Sequence, residues 1–174
     1  MGKRLELKLP AAVVAPLIEY LLPLAGAEDA APLAIAPDLK AVEEDFREQW
    51  SDDLALHLAG DLGRFVAVFN TDNFPRDGTA EFGPDDCEPL LRACSALRLK
   101  LRDRRLGAIA DSVLETGDID HARLNQDEQL ALAAYMFLAA LQEIIIRHLD
   151  PDSDFEEDDD EVEEQDEEAG EGEE

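Results

Sequence analysis

Apolar residues recur along most of this chain at intervals of three and four, the spacing that gathers side chains on one face of an α-helix. One short segment departs from that rhythm. Residues 4–9, RLELKL, alternate Arg4, Glu6 and Lys8 with Leu5, Leu7 and Leu9, the period-two pattern of a half-buried strand. A lone strand needs a partner. It pairs with another short stretch such as TAEF at 79–82, pairs with a second subunit, or is no strand at all.

Helical patterns follow. Pro10 suits a helix start, after which Val13, Leu17, Tyr20, Leu21 and Leu24 form a stripe that ends at Gly26. Residues 27–37 read as a loop. A second pattern starts near Asp38, a plausible cap, and runs through Leu39, Val42, Phe46 and Trp50. Ser51 either caps a fresh segment or is passed through, and Leu54, Leu58, Leu62, Phe65 and Phe69 continue the spacing. Gly60 and Gly63 weaken such a helix by up to about 1 kcal/mol each, and close packing of a neighbouring helix is the expected reason for them. Residues 71–84 carry turn chemistry, with Asp77-Gly78 as the clearest reversal.

Pro84, Asp85, Asp86, Glu88 and Pro89 mark the next helix start, since carboxylates favour the positive end and proline is tolerated in the first turn. Leu90, Cys94, Leu97 and Leu101 then share one side, Leu99 and Leu106 the other, and Ile109, Val113 and Leu114 carry helical spacing to Thr116-Gly117. Residues 97–102 also alternate apolar and basic, but no breaker separates them from the helical pattern around them. Asn125 and Glu128 make a capping box for the last helix, which is apolar on nearly every face through Ile146 and so is expected to be central. Gln142 and Glu143 interrupt it, which argues against a membrane span. The pattern predicts an all-α bundle of four to five helices, with the N-terminal strand as an option.

Charge changes the picture at the C-terminus. Residues 150–174 hold 17 acids in 25, no Lys or Arg, and only Phe155, Val162 and Ala169 as apolar side chains. Such a stretch buries too little surface to offset chain entropy and is expected to be disordered. The division is therefore a helical domain over 1–149 and a polyacidic tail over 150–174. The body keeps 26 acids against 15 bases, a net charge of −11 within the chain's −28. That balance opposes nucleic-acid binding by phosphate neutralisation and suits basic protein partners. Glu6, Lys8, Glu19 and the prolines Pro16 and Pro23 spoil the likeness of the first 27 residues to a secretory signal. Cys87 and Cys94, seven apart on one helix, lie about 10.5 Å apart, too far for a disulfide, and read as small buried hydrophobes of a reducing, cytoplasmic setting.

Against that acidity, Arg98, Lys100, Arg102, Arg104 and Arg105 place five of the fifteen bases within eight positions. Three readings compete. Their stems cover apolar surface while the cations pair with the body's carboxylates; the acidic tail settles on them; or they dock an external acidic ligand. No catalytic, metal or cofactor signature accompanies them. His57, His121 and His148 share no motif with a Cys, Ser or second His, and Asp118, Asp120 and His121 lack the oxygen spacing and terminal Glu of a calcium loop.

The segments LRLKLRDRRLG at 97–107 and YMFLAALQEIIIRHL at 135–149 resemble an uncharacterised bacterial family of helical domains, best known from actinobacteria. Arg98, Leu99, Leu101, Arg105, Leu106 and Gly107, then Leu141, Gln142 and Glu143, carry the resemblance, and RLELKLPAAVVAPLIEYLL resembles the family's strand-then-helix start. It implies a cytoplasmic domain without known activity, whose genes often lie near that of the adaptor that feeds the Clp protease. It also implies that Arg98 and Arg105 define the fold through internal ion pairs, Glu143 among their partners, which leaves Lys100, Arg102 and Arg104 for docking an anion or the tail. The function expected is a non-enzymatic adaptor or regulatory domain acting on a protein partner, without cofactor, nucleic acid or membrane. The alternative is a charge-based chaperone or nucleic-acid mimic that presents the tail to basic proteins.

Overall fold

Leu5–Lys8 forms a strand, β1, and its partner is the TAEF segment, Thr79–Phe82, as β2. The two run antiparallel with Leu5 opposite Phe82 and Leu7 opposite Ala80. Alternation puts Leu7, Ala80 and Phe82 into the core and Glu6 and Glu81 to solvent, facing each other. Lys8 lies 3.3 Å from Glu6 and Arg4 3.9 Å from Glu81, which offsets the like-charge pair. This is the shape of a computed structural model that describes residues 4–26, 44–71, 74–117 and 119–149.

Six α-helices accompany the ribbon among these residues: α1 Ala11–Ala25, α2 Glu44–Phe69, α3 Phe74–Asp77, α4 Pro84–Arg104, α5 Asp111–Thr116 and α6 Gln126–Leu149. The loop expected at 27–37, the helix start near Asp38 and the tail at 150–174 lie outside the described residues. Ser51 is passed through, because α2 runs unbroken. The reversal at Asp77-Gly78 is tight. Gly78 takes φ +70° and its carbonyl accepts the Leu9 N–H at 2.9 Å. A Cβ there would stand 1.9 Å from the Leu9 carbonyl oxygen, so only glycine fits between β1 and the turn into β2.

The core is a single cluster around Phe65, Phe69, Phe74, Phe82, Leu21, Leu90, Leu97, Leu101 and Leu138, each buried. Phe69 meets Phe74 edge-on at 5.4 Å and Phe137 at 6.3 Å, joining α2, α3 and α6. α4 shows the expected stripe, with Leu90, Cys94, Leu97 and Leu101 fully buried. The capping box of α6 forms in both directions: Glu128 N–H donates to Asn125 Oδ1 and Asn125 N–H to Glu128 Oε2, both at 2.9 Å.

Four expectations are corrected. On α1 the buried face is Val14, Leu17, Ile18, Leu21 and Leu24, and Val13 is exposed. α4 does not continue to Thr116. The N–H groups of Arg105 and Leu106 both donate to the Leu101 carbonyl, the chain turns, and α5 restarts at Asp111. Leu106 is therefore buried by the turn, while Leu99 alone stays on the exposed side. Gly60 and Gly63 face open space, with no atom within 4 Å of a Cβ placed on either, so close packing is not their role. Finally α6 is not central: it buries Ala131, Ala134, Leu138, Leu141 and Ile145 against α1 and α4 and exposes Met136, Ile144, Ile146 and Leu149.

Candidate interaction surface

The basic cluster is the place to begin, and the helix disperses it. Arg98 sits half-buried between α4 and α6, donating to Gln142 Oε1 at 2.9 Å and to the Tyr135 hydroxyl at 3.0 Å, with its guanidinium 4.5 Å from the Tyr135 ring centre. Those acceptors are neutral. Glu143, the partner the family resemblance implied, instead pairs with Arg147 one turn along α6 at 2.9 Å. Gln142 faces α4 as well, donating to Ser95 Oγ at 2.8 Å and the Leu91 carbonyl at 3.2 Å. Arg105 does form an ion pair, with Asp127 at 3.3 Å. Tyr20 donates to the same carboxylate at 3.4 Å, and its phenol is held above its ordinary pKa by burial first and by Asp127 second.

Lys100 corrects the docking expectation outright. It is 2 % exposed, and its Nζ donates to the Leu24 carbonyl at 2.8 Å. Helix α1 has no basic residue in its last turn, so a cation from α4 meets the negative end of its dipole and satisfies one of its terminal carbonyls. Arg102 folds back over the turn after α4, its Nε 2.6 Å from Asp111 and an Nη on the Leu106 carbonyl, tying α4 to α5. Arg104 is the exposed last residue of α4. Arg98, Lys100, Arg102 and Arg105 thus each engage a different part of the protein.

Ion pairs also join α2 to α4. Arg92 Nε and Nη2 reach both oxygens of the buried Asp61 at 2.7 and 2.9 Å, a bidentate fork, and Glu88 flanks Arg92 at 3.6 Å. The hydrogen bond to Asp61 is the main reason the Arg92 guanidinium is held above its usual pKa. Arg64 contacts Asp86 at 2.7 Å, and the same carboxylate accepts the Gly83 N–H at 2.8 Å at the start of α4. Beside them is a cleft of about 410 Å³ between α2, α3 and β2, lined by Arg64, Val68, Thr71, Asp77, Glu81 and Asp86. Its polar groups are engaged inside the protein, Asp77 by the Thr79 N–H at 2.9 Å and Glu81 by Arg4. Among the described residues no group of three or more His, Cys, Asp or Glu side chains is placed to hold a metal ion. Asp120 caps the turn at 121–123 through the Ala122 N–H at 3.2 Å and pairs with Arg123 at 3.0 Å; Asp118 lies outside the described residues. Cys87 and Cys94 are free and buried, and burial pushes the Cys94 thiol up to about 12.

Large apolar side chains also stand exposed. On the N-terminal half of α2, Trp50 is 49 % exposed, Leu54 37 % and Leu56 74 %. Trp50, Leu54 and Leu58 fall on one face, the same stripe that turns inward from Leu62 onward. Helix periodicity located the stripe, yet it does not say how much of a stripe finds cover within its own chain. The sequence around it is acidic, with Glu44, Asp45, Glu48, Asp52 and Asp53 against Arg47 alone over 44–56.

A family model matches residues 5–149, from the first strand to the end of α6. The chain belongs to the DUF2017 family, a domain of unknown function. No curated protein matches it and no solved structure does. The match bears out the expectation of an uncharacterised family only to the extent of a domain of unknown function, and it ends where the acidic stretch begins. Among the described helices, α6 is long and apolar enough to pass as a membrane span by length and composition, and a third of that stretch is buried within the protein.

Proposed function

We propose that this DUF2017 chain is a non-enzymatic interaction domain of the cytoplasm that takes a protein partner on the N-terminal half of α2. The observation that carries the reading is the exposure of Trp50, Leu54 and Leu56 on a helix whose other half is locked into the core. Tryptophan is among the side chains that carry most of the energy of protein interfaces, and the leucines beside it add apolar area to bury. The five carboxylates of 44–56 select a partner whose contact surface is apolar and rimmed by basic groups. An adaptor or regulator works in this way, and the bacterial setting beside the Clp protease adaptor that the family resemblance implied is part of the same proposal.

A second reading rests on the tail. Its 17 carboxylates in 25 residues suit a cradle for basic proteins or a mimic of nucleic acid. One pull-down separates the two, using as baits the full chain, a chain lacking 150–174, and the full chain with Trp50→Ala and Leu54→Ala. A partner held by the first two and lost by the third supports docking on α2. A partner lost on removal of the tail and indifferent to the α2 substitutions overturns it in favour of the tail.

A further inference from the structure

Among the described residues the sheet has two strands, so each keeps an outer edge. The Leu9 N–H donates to the Gly78 carbonyl at 2.9 Å, and these two residues continue the register that sets Leu7 opposite Ala80. Hydrogen-bonded pairs recur at every second position of an antiparallel ladder, so Leu7 bonds with Ala80 and Leu5 with Phe82. The main chains of Thr79 and Glu81 therefore point the other way, off the outer edge of β2. Asp77 marks that side, for its Oδ1 accepts the Thr79 N–H at 2.9 Å. The Thr79 carbonyl and both main-chain groups of Glu81 have no hydrogen-bond partner among the described residues.

This edge opens on the cleft of about 410 Å³, with Asp77, Thr79 and Glu81 along one side and Arg64, Ala67 and Val68 of α2 along the other. The unpaired groups repeat at strand spacing, about 6.6 Å from Thr79 to Glu81. An extended main chain is the chemistry that matches them, added as a third strand. Its side chains would alternate as those of β2 do. A residue opposite Glu81 stands on the solvent side, beside the exposed carboxylates of Glu81 and Asp77. A residue opposite Ala80 turns toward the core side, where Val68 is buried. Opposite charges across a strand pair attract and like charges repel, so the first of these residues is basic. Arg64 does not reverse that preference, because Asp86 already holds it at 2.7 Å. Arg4 reaches Glu81 at 3.9 Å across open surface and competes weakly.

We infer that the outer edge of β2 takes an extended segment of a partner protein, added antiparallel, with Lys or Arg facing Glu81 and an apolar residue next to it. The cleft lies at the opposite end of α2 from Trp50 and Leu54, and the inference stands without them.

A fluorescein-labelled hexapeptide with blocked ends, Thr-Lys-Val-Lys-Val-Thr, titrated with the full chain to about 1 mM and followed by anisotropy, tests it. Saturable binding is expected. N-methylation of both lysines removes the N–H groups that face β2 and should raise Kd by about tenfold or more. N-methylation of both valines, whose N–H groups face solvent, should change Kd by less than about threefold. On the protein, Glu81→Pro removes a donor that the ladder does not use, so the fold should persist while Kd rises by about tenfold. Glu81→Gln keeps the N–H and loses the charge, and should weaken binding by only about two- to threefold. An absence of saturation by about 1 mM overturns the inference. Binding that is indifferent to which residues are methylated, or that both Glu81 variants reduce equally, overturns it too and reveals charge attraction alone. The methylated peptides decide the matter on the wild-type chain even where Glu81→Pro fails to fold.

Discussion

Replacing Gly78 by alanine offers the sharpest test of the fold. The residue holds φ +70°, and a left-handed backbone costs an alanine about 1 kcal/mol. The added Cβ also lands 1.9 Å from the Leu9 carbonyl oxygen and 3.2 Å from the Ala11 nitrogen. Both are backbone atoms, which no rotamer change can move aside. The strand must retreat by more than 1 Å, roughly the shortfall from van der Waals contact. That withdraws the Leu9 N–H from the Gly78 carbonyl, now at 2.9 Å, a bond of about 1 kcal/mol. With some loosening of Leu7 and Ala80 the sum is about 3 kcal/mol, a substantial part of a typical domain's stability. For a domain of this size the melting temperature should fall by about 6–12 °C. Gly60→Ala and Gly63→Ala provide the contrast, for both lie within α2 with nothing near the new methyl group. Each should raise stability by up to about 1 kcal/mol. Thermal and urea denaturation followed at 222 nm reads all three. A Gly78→Ala protein within about 2 °C of wild type, or α2 variants that melt lower, would refute the reasoning.

Three other outcomes are expected. Arg92→Ala leaves the buried Asp61 carboxylate unpaired and should cost about 1–2 kcal/mol in urea denaturation, more than Asp61→Ala, which leaves Arg92 open to water. Asn125→Ala removes half of the α6 capping box and should cost about 1 kcal/mol, whereas Asn125→Ser should recover most of it. The Cys94 thiol stays protonated in the folded protein to about 12, above its pKa in the unfolded chain, so its contribution is complete below about pH 8.5 and is lost as pH rises beyond it. Denaturation midpoints should therefore drop between pH 9 and pH 10, by up to about 1.4 kcal/mol from this group, and the drop should shrink in Cys94→Ala.

Short-range signals in the sequence proved sound. The caps of α6, the apolar stripe of α4 and the β1 alternation are local patterns whose meaning depends on few distant residues. The failures share a cause of the opposite kind. Lys100 read as a surface charge because its acceptor, the Leu24 carbonyl, is 76 residues away and belongs to the main chain, which carries no sequence signal. α4 read as continuous to Thr116 because Leu106 and Ile109 keep helical spacing through the turn, where Arg102 supplies the closing contacts. The Arg98 site was placed on the right helices, but with Glu143 where Gln142 and Tyr135 stand, since positions one apart on α6 differ only in which way they face. Trp50 and Leu54 looked like core for a similar reason: a stripe announces that it needs cover, and topology decides who provides it.

The pairing of Leu5–Lys8 with Thr79–Phe82, and the cover that α6 gives α1, also set the order in which this molecule can be completed on the ribosome. The first strand waits for residue 82, and the cover of α1, begun by α2, α3 and α4, is completed by a helix that begins at Gln126. At about 5–20 residues per second the nascent chain carries an incompletely covered apolar helix for roughly 5–20 s. The chain's earliest oily segment is thus fully sheltered only once its last helix has been made.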